Sequence, residues 1–428
     1  MNRVLDFCER KILPIFEKLG NQRHLVAISQ AFGATSPFLI TASFAMLLTI
    51  FSQNFLIGNG LVAENNGILT FVILCSKTIW KAVMDLYGLA FVAALAYHLS
   101  LSYKKEVLGP ILCALFSCMI FVPESTLTSL SLSYFSAVHL IPLIIITLIS
   151  TTVFLFFVNH KLNINLGENI PPNVMDFFQN LLPALCTGFL FVMLKELLLI
   201  HDIDLYSFLS QYATTPLLSL SQFLPVILLN LFLVQFIWYF GLHGSTIMNI
   251  LTDYIFKLPL LFNMYWFSTQ QFGLTTPYIW SSSANSAFAL IGGNGATLGL
   301  VLALKFFGKS EHEKQVAKQA LPSSIFEINE PATFGLPVIL DQDYIIPFLF
   351  TAPLCCILPY IAITQGWMPA VIMELPWITP PVLYGFLATG GSFMAVLISL
   401  VNIVFAGLFW GYFVVRKQKI SVKKGEQT

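Results

Sequence analysis

An all-α, polytopic membrane protein is the fold class this sequence predicts, and three observations predict it. Of the 428 residues, 57% are hydrophobic and only 10% are charged, whereas a soluble domain carries roughly a quarter charged residues. Apolar runs long enough for a helix to cross a hydrocarbon core, roughly 20 residues each, recur along the whole length. Lys and Arg gather in every second connection between those runs, which is the bias expected of cytoplasmic loops. The alternating ten-residue pattern of an outer-membrane barrel is missing.

In chain order, Met1 to Arg23 carries both signs of charge and no apolar signal core. Its Val4, Cys8, Ile12, Ile15 and Leu19 fall at helical spacing, which predicts an amphipathic helix on the membrane surface. Ten crossings follow, at about 28–50, 78–100, 106–123, 137–158, 180–200, 217–240, 245–262, 285–307, 344–364 and 391–415. With the N-terminus inside, both termini are cytoplasmic and 17 of the 21 basic residues face the cytoplasm. Lys77, Lys81, Lys195 and Lys257 are the exceptions. Residues 159–179 read as a polar cytoplasmic loop in which Pro171-Pro172 separates two helices, and 308–324 as a charged, helix-prone connector. Residues 416–428 form a basic cytoplasmic tail.

The stretches 263–297 and 325–343 are different. They are rich in Gly, Ser, Asn, Thr and Pro yet flanked by membrane-depth helices. Non-helical backbone at that depth is tolerated only when buried in protein or lining a watery cavity, and such broken segments mark substrate sites in transporters. Both lie in the second half, so residues 216–415 are expected to bind substrate and residues 1–215 to serve as scaffold or subunit interface. The seven cysteines show no CxxC pairing and lie mostly in apolar runs, so neither a metal site nor a disulfide framework is expected.

Candidate site residues sit in these polar breaks. In Trp238-Tyr239-Phe240-Gly241-Leu242-His243-Gly244, aromatic rings beside an imidazole suit a sugar, whose C–H faces stack and whose hydroxyls bond. The alternative is a histidine at the headgroup boundary. Glu330, in Asn329-Glu330-Pro331, is an ionisable group between membrane segments and so a functional candidate. It can accept a sugar hydroxyl or, with a raised pKa, orient that hydroxyl and take its proton; otherwise it is a loop carboxylate facing the cytoplasm. Glu327 is expected to face the cytoplasm as a solvated or structural group. Ile291-Gly292-Gly293-Asn294-Gly295-Ala296-Thr297 lacks the ending of a P-loop and reads either as a re-entrant glycine turn presenting Asn294 or as tight small-residue packing. Trp377 serves either as a stacking platform or as an interfacial belt residue. Lys81 and Asp85, at i,i+4, read as a buried or snorkelling ion pair.

Taken together, Phe240-Gly241-Leu242-His243-Gly244, Gly292 to Leu298, Phe326-Glu327-Ile328-Asn329-Glu330-Pro331 with Phe334-Gly335-Leu336-Pro337, Ala388-Thr389-Gly390-Gly391 and Ile170-Pro171-Pro172-Asn173-Val174 resemble the membrane subunit (IIC) of a bacterial phosphoenolpyruvate-dependent sugar phosphotransferase system of the lactose/cellobiose/chitobiose type. The resemblance runs from about residue 5 to 415. It implies a homodimer in the bacterial inner membrane, an N-terminal dimerisation part, and a C-terminal part that carries a disaccharide across. It further implies a separate IIB phosphocysteine donor charged by IIA, and His243, Glu330 and Asn329 as sugar contacts. The chain departs from the family pattern at Ser392-Phe393-Met394, where Asp-Trp-Arg is common, and at Asp341-Gln342, where Asn-Pro is common.

A group-translocating permease without a phosphocysteine of its own is therefore the expected function. No cofactor, no metal and no nucleic-acid partner are expected. A proton-coupled secondary sugar transporter, using Glu330 or the Lys81–Asp85 pair, is the alternative. A membrane protein that keeps the fold without transport is a third.

Overall fold

The computed structural model describes residues 10–425 apart from 12–13, 15–17, 19, 64–65, 106, 124–131, 161–171, 243 and 270–275. The expected surface helix at the N-terminus, much of the 159–179 loop and His243 thus lie outside the described residues. Regular structure among the described residues is helical, with no strand. Among the described residues, seven helices are long and apolar enough to cross a membrane: Arg23–Ile57, Gly67–Ser102, Ala137–Asn159, Phe177–Ile200, Ser282–Phe307, Ile345–Thr364 and Phe393–Ser421. An eighth arises if Leu205–Ser221 and Leu224–Tyr239, bent by 75° at their junction, form one span. The sequence segments 106–123 and 245–262 correspond to shorter helices, the second interrupted by a π-turn at Asp253–Lys257.

Two compact units divide the chain, one of residues 21–46 and 65–218, the other of 1–20, 47–64 and 219–428. The first unit is built on α2 (Gly67–Ser102), α3 (Leu108–Ile120), α4 (Leu140–Asn159) and α5 (Pro172–Ile200), preceded by α1 (Arg23–Ile50). Asn66 starts α2 by accepting the Ile68 and Leu69 amides, each at 3.1 Å, so two of the orphan donors of a helix start are satisfied. Val92, Ala114, Phe121, Phe135, Leu143, Phe191 and Tyr206 form its core. Small residues set the spacing: a Cβ on Gly88 would meet the Phe135 carbonyl oxygen at 2.2 Å and Leu143 Cδ1 at 2.5 Å. The outer face of α5 is uncovered, with Phe177, Leu185, Phe189, Met193 and Leu197 all exposed on one stripe. Lys81 and Asp85 do not pair: no ion pair closer than 4.0 Å joins them, because Lys81 is turned outward and exposed. This corrects the i,i+4 reading.

After α6 (Leu205–Leu209) and α7 (Thr215–Ser221), the second unit gathers α8 (Leu224–Tyr239), α9 (Gly244–Thr252), α10 (Leu258–Thr269), α11 (Thr297–Phe307), α12 (Glu311–Ile325), α13 (Glu330–Gly335), α14 (Ile345–Thr364), α15 (Pro381–Ala388) and α16 (Phe393–Gly425). Trp238, Tyr239, Leu300, Leu304, Tyr344, Phe348 and Trp410 are buried together at its centre. Helix α11 lies so close to α16 that a Cβ on Gly299 would come within 2.7 Å of Ala406, the close approach that small residues permit between membrane helices. The expected connector is α12, opened by a capping box in which Ser310 Oγ accepts the Glu313 amide and Glu313 accepts the Ser310 amide. Partial burial opposes ionisation of Glu313, but amides of Ser310 and Lys309 and the Gln418 side chain hold its carboxyl below the usual range.

Gly88→Ala is expected to destabilise by about 1–3 kcal/mol or more, since the added methyl has nowhere to go. Gly188→Ala on α5, where a Cβ meets nothing within 4 Å, is expected to stay within about 1 kcal/mol of wild type. Thermal unfolding of the two variants in one detergent checks the contrast. Equal melting would show that the Gly88 contact is not tight.

Candidate functional site

The polar breaks of the second unit are stitched together by side chains that stand on helices. At the bend between α7 and α8, Gln222 Oε1 accepts the amides of Ile279 (2.7 Å) and Trp280 (2.8 Å), and its Nε2 donates to the Trp280 carbonyl at 3.1 Å. Asn263 of α10 donates to the carbonyls of Tyr278 (2.8 Å) and Val371 (3.1 Å) and accepts the Tyr278 amide. Asn402 of α16 donates to the carbonyls of Phe288 (3.0 Å) and Cys355 (2.7 Å). Each amide offers both a donor and an acceptor, so one side chain can replace the ladder that a broken helix lacks.

The glycine turn 290–296 is held in the same way. Gly292, Gly293 and Gly295 have φ of 77°, 91° and 79°, a region that glycine enters without the Cβ clash. The Gly295 amide donates to Gln235 Oε1 of α8 at 2.6 Å, and Trp410 Nε1 of α16 donates to the Gly295 carbonyl at 3.0 Å. The turn packs directly on the stretch before α13. Asn329 Nδ2 donates to the Asn294 carbonyl at 3.3 Å, and the Gly293 amide donates to Glu327 Oε2 at 2.8 Å. A Cβ on Gly293 would lie 2.7 Å from the Glu327 carbonyl and 3.0 Å from Asn329 Cβ. Glycine is required there both by φ and by space.

Asn294 and Asn329 are thus brought together. Asn329 is 3% exposed, and Glu330, the first residue of α13, is exposed. Trp238 is buried at 4% exposure in the core, against Gly244, whose Cβ would meet its ring at 2.9 Å. Trp377 is 65% exposed in the turn before α15. Of the two readings of Glu327, solvated or structural, its placement rules out the solvated one. It is 8% exposed, its backbone sits at φ 65°, and its Oε1 makes no hydrogen bond among the described residues. Burial pushes its carboxyl well above the usual range, while the amides of Gly293 and Gly292 pull the other way. A left-handed non-glycine residue stores about 1–3 kcal/mol of strain, and here that strain turns a carboxyl into the glycine loop.

A second buried group was not legible as a pair. Lys257 Nζ donates to Glu374 Oε1 at 2.5 Å, with both side chains nearly buried. Lys257 ends the π-turn that Asp253 begins, and Glu374 lies three residues before Trp377. The Tyr384 hydroxyl lies 3.4 Å from the amide of Leu375, the residue after Glu374. The sequence signal was there in outline. Lys257 was one of four basic residues outside the cytoplasmic loops, and Glu374 stands alone in Val371-Ile372-Met373-Glu374-Leu375. A membrane-depth charge calls for a partner. The departure at Asp341 is also answered, because Lys417 of α16 forms an ion pair with it and lies 4.2 Å over the Tyr344 ring.

Known proteins share this architecture. A family model described as "Phosphotransferase system, EIIC" matches residues 29–352. The PTS system oligo-beta-mannoside-specific EIIC component of Bacillus subtilis is 26% identical over 427 residues, covering 97% of this chain and 94% of that protein. The PTS system cellobiose-specific EIIC component of Lactococcus lactis is 23% identical, covering 98% and 99%. The crystal structure of the transporter ChbC, the IIC component from the N,N'-diacetylchitobiose-specific phosphotransferase system, matches with a TM-score of 0.86 at 25% identity, over 98% of this chain and 99% of that one.

Lys257→Met should destabilise by about 3–5 kcal/mol, because it leaves Glu374 buried without its counter-ion. Lys257→Met combined with Glu374→Leu should recover most of that loss. Melting temperatures of the two variants in detergent decide the matter, and a double variant as unstable as the single one would show that the pair is not the stabilising unit.

Proposed function

The chain belongs to the EIIC family of the phosphotransferase system, integral membrane permeases, and from that premise we propose that it carries a β-linked disaccharide inward and presents it to a IIB phosphocysteine. The observation that carries this reading is the junction of the glycine turn with the Asn-Glu-Pro stretch, where Gly293 meets Glu327 and Asn294 meets Asn329. It concentrates amide and carboxyl groups in a chain with few polar residues to spare, which is how sugar sites in largely apolar proteins gain selectivity. Relatives named for cellobiose, oligo-β-mannoside and N,N'-diacetylchitobiose all point to β-linked glycosides.

In this reading Asn294 and Asn329 fix the turn, while Glu330 faces outward from the start of α13 to hold the reacting hydroxyl. Glu327 adds an acceptor or, when protonated, a donor behind it. The family resemblance adds His243 as a further sugar contact, and Trp377 supplies the stacking face. Phosphoryl transfer breaks the P–S bond of the IIB phosphocysteine and forms a P–O bond to the sugar. The hydroxyl proton passes to Glu330 or to water, and the thiolate returns with IIB. The membrane subunit contributes position and electrostatics rather than a covalent intermediate. Ten crossings, with both termini in the cytoplasm, place loop 308–324 and the Asn-Glu-Pro stretch at the inner face. The uncovered apolar stripe of α5 supports pairing of two copies through the first unit.

Proteoliposomes charged with phosphoenolpyruvate, IIA and IIB should convert labelled cellobiose or diacetylchitobiose to the sugar phosphate on entry. Glu330→Gln should lower the rate of product formation by roughly 10²–10⁴. Free sugar accumulating inside, with entry blocked by a proton uncoupler, would overturn this reading in favour of proton-coupled transport.

A further inference from the structure

Away from the polar junction, the second half of α16, the end of α11 and the connection after it line an open groove of about 1020 Å³. Its walls are of two kinds. Phe307, Leu408, Tyr412 and Ile420 form an apolar floor, and Lys309, Arg416 and Lys419 supply the charge. The floor is built rather than incidental. A Cβ on Gly411 would meet the Phe307 ring at 2.8 Å, so only glycine lets that ring lie against α16. Gln418 Nε2 pins the same edge by donating to the Phe307 carbonyl at 3.1 Å and to Glu313 at 3.0 Å.

The charge is specific to the groove. Lys417, between Arg416 and Gln418, turns away to Asp341 and Tyr344. Among the described residues, no ion pair involves Lys309, Arg416 or Lys419. The nearby carboxylate, Glu313, is occupied by the amides of Lys309 and Ser310 and by Gln418. The balance at the groove therefore favours an anion. Its apolar floor excludes a freely hydrated one, and its position at the basic end of the last span puts it at headgroup depth.

We propose that this groove binds one anionic phospholipid, with the phosphate between Lys309, Arg416 and Lys419 and an acyl chain along Phe307, Leu408 and Tyr412. The bilayer supplies such a ligand, and cavities of roughly 300–1,000 Å³ hold ligands of drug size. This site is independent of the sugar reading: it needs only that the last helix ends in the membrane interface.

Native mass spectrometry of the purified chain in detergent, with phosphatidylglycerol and phosphatidylcholine added at equal concentration, tests it. The wild type should retain one phosphatidylglycerol with a preference of about tenfold or more over phosphatidylcholine. The Lys309→Gln/Arg416→Gln/Lys419→Gln variant should lose that preference while melting normally in phosphatidylcholine alone. Lys314→Gln/Lys318→Gln, which removes exposed charge from α12 outside the groove, should keep it. Excess inorganic phosphate should not displace the lipid. Equal retention of the two lipids, retention by the triple variant, displacement by phosphate, or release of the lipid when two copies associate would each overturn the proposal.

Discussion

Backbone that leaves the helix inside a membrane must find every hydrogen bond within the protein, and the second unit of this chain is arranged around that requirement. Its polar stretches cannot be satisfied by water at depth or by a strand ladder. Gln222, Gln235, Asn263 and Asn402 take over, each bonding backbone groups of a segment far away in sequence. Gln235, Asn263 and Asn402 stand on α8, α10 and α16 and Gln222 at the bend before α8, so the broken segments inherit the rigidity of the bundle. A net contribution of about 1 kcal/mol for each such bond understates their role. Without them each freed amide or carbonyl would be left buried at a cost of about 1–3 kcal/mol.

Charge is governed by the same constraint. With 10% charged residues, carboxylates are few, and three in the second unit are answered in different ways. Glu374 meets Lys257, and Asp341 meets Lys417. Glu327 has no cation and uses the Gly293 amide instead. Three solutions to one desolvation problem therefore coexist in a single unit: a buried ion pair, an ion pair at the end of a helix, and a carboxyl held by backbone. Glu374 is held by a cation and Glu327 by a backbone amide, and each leaves its second carboxylate oxygen buried outside that contact. What separates them is place: Glu327 lies against the glycine turn and is the better candidate for contact with a ligand, and Lys257–Glu374 the better candidate for holding the frame.

Much of this is legible in the sequence. Apolar run length and the placement of basic residues expose the membrane class, the connector over 308–324 is readable from its charge and helix propensity, and a glycine turn is one of two readings of the stretch at 291–297. What escaped was contact across distance. Glu327 reads as a loop carboxylate because nothing local announces a left-handed backbone or the glycine amide 34 residues earlier. Lys257 and Glu374 are separated by 117 residues, and periodicity carries no information at that range. Lys81 and Asp85 erred in the opposite direction. Their spacing permits a pair, but a lysine that can reach toward polar surroundings gains more from solvation than from a partner.

Asp341-Gln342, the departure that the resemblance singles out, has a structural answer. A carboxylate beside the Asn-Glu-Pro stretch would disturb the local field unless neutralised. Lys417 neutralises it, and the aromatic face of Tyr344 holds the ammonium in place. Leu340, at φ 60°, donates its amide to the Tyr239 carbonyl at 3.2 Å, so the turn is clamped on the α8 side as well. Residue 341 thus ties the end of α16 to the stretch that follows α13. The pair is a link between the last helix and the polar junction, and any movement of α16 must carry that junction with it or break the pair.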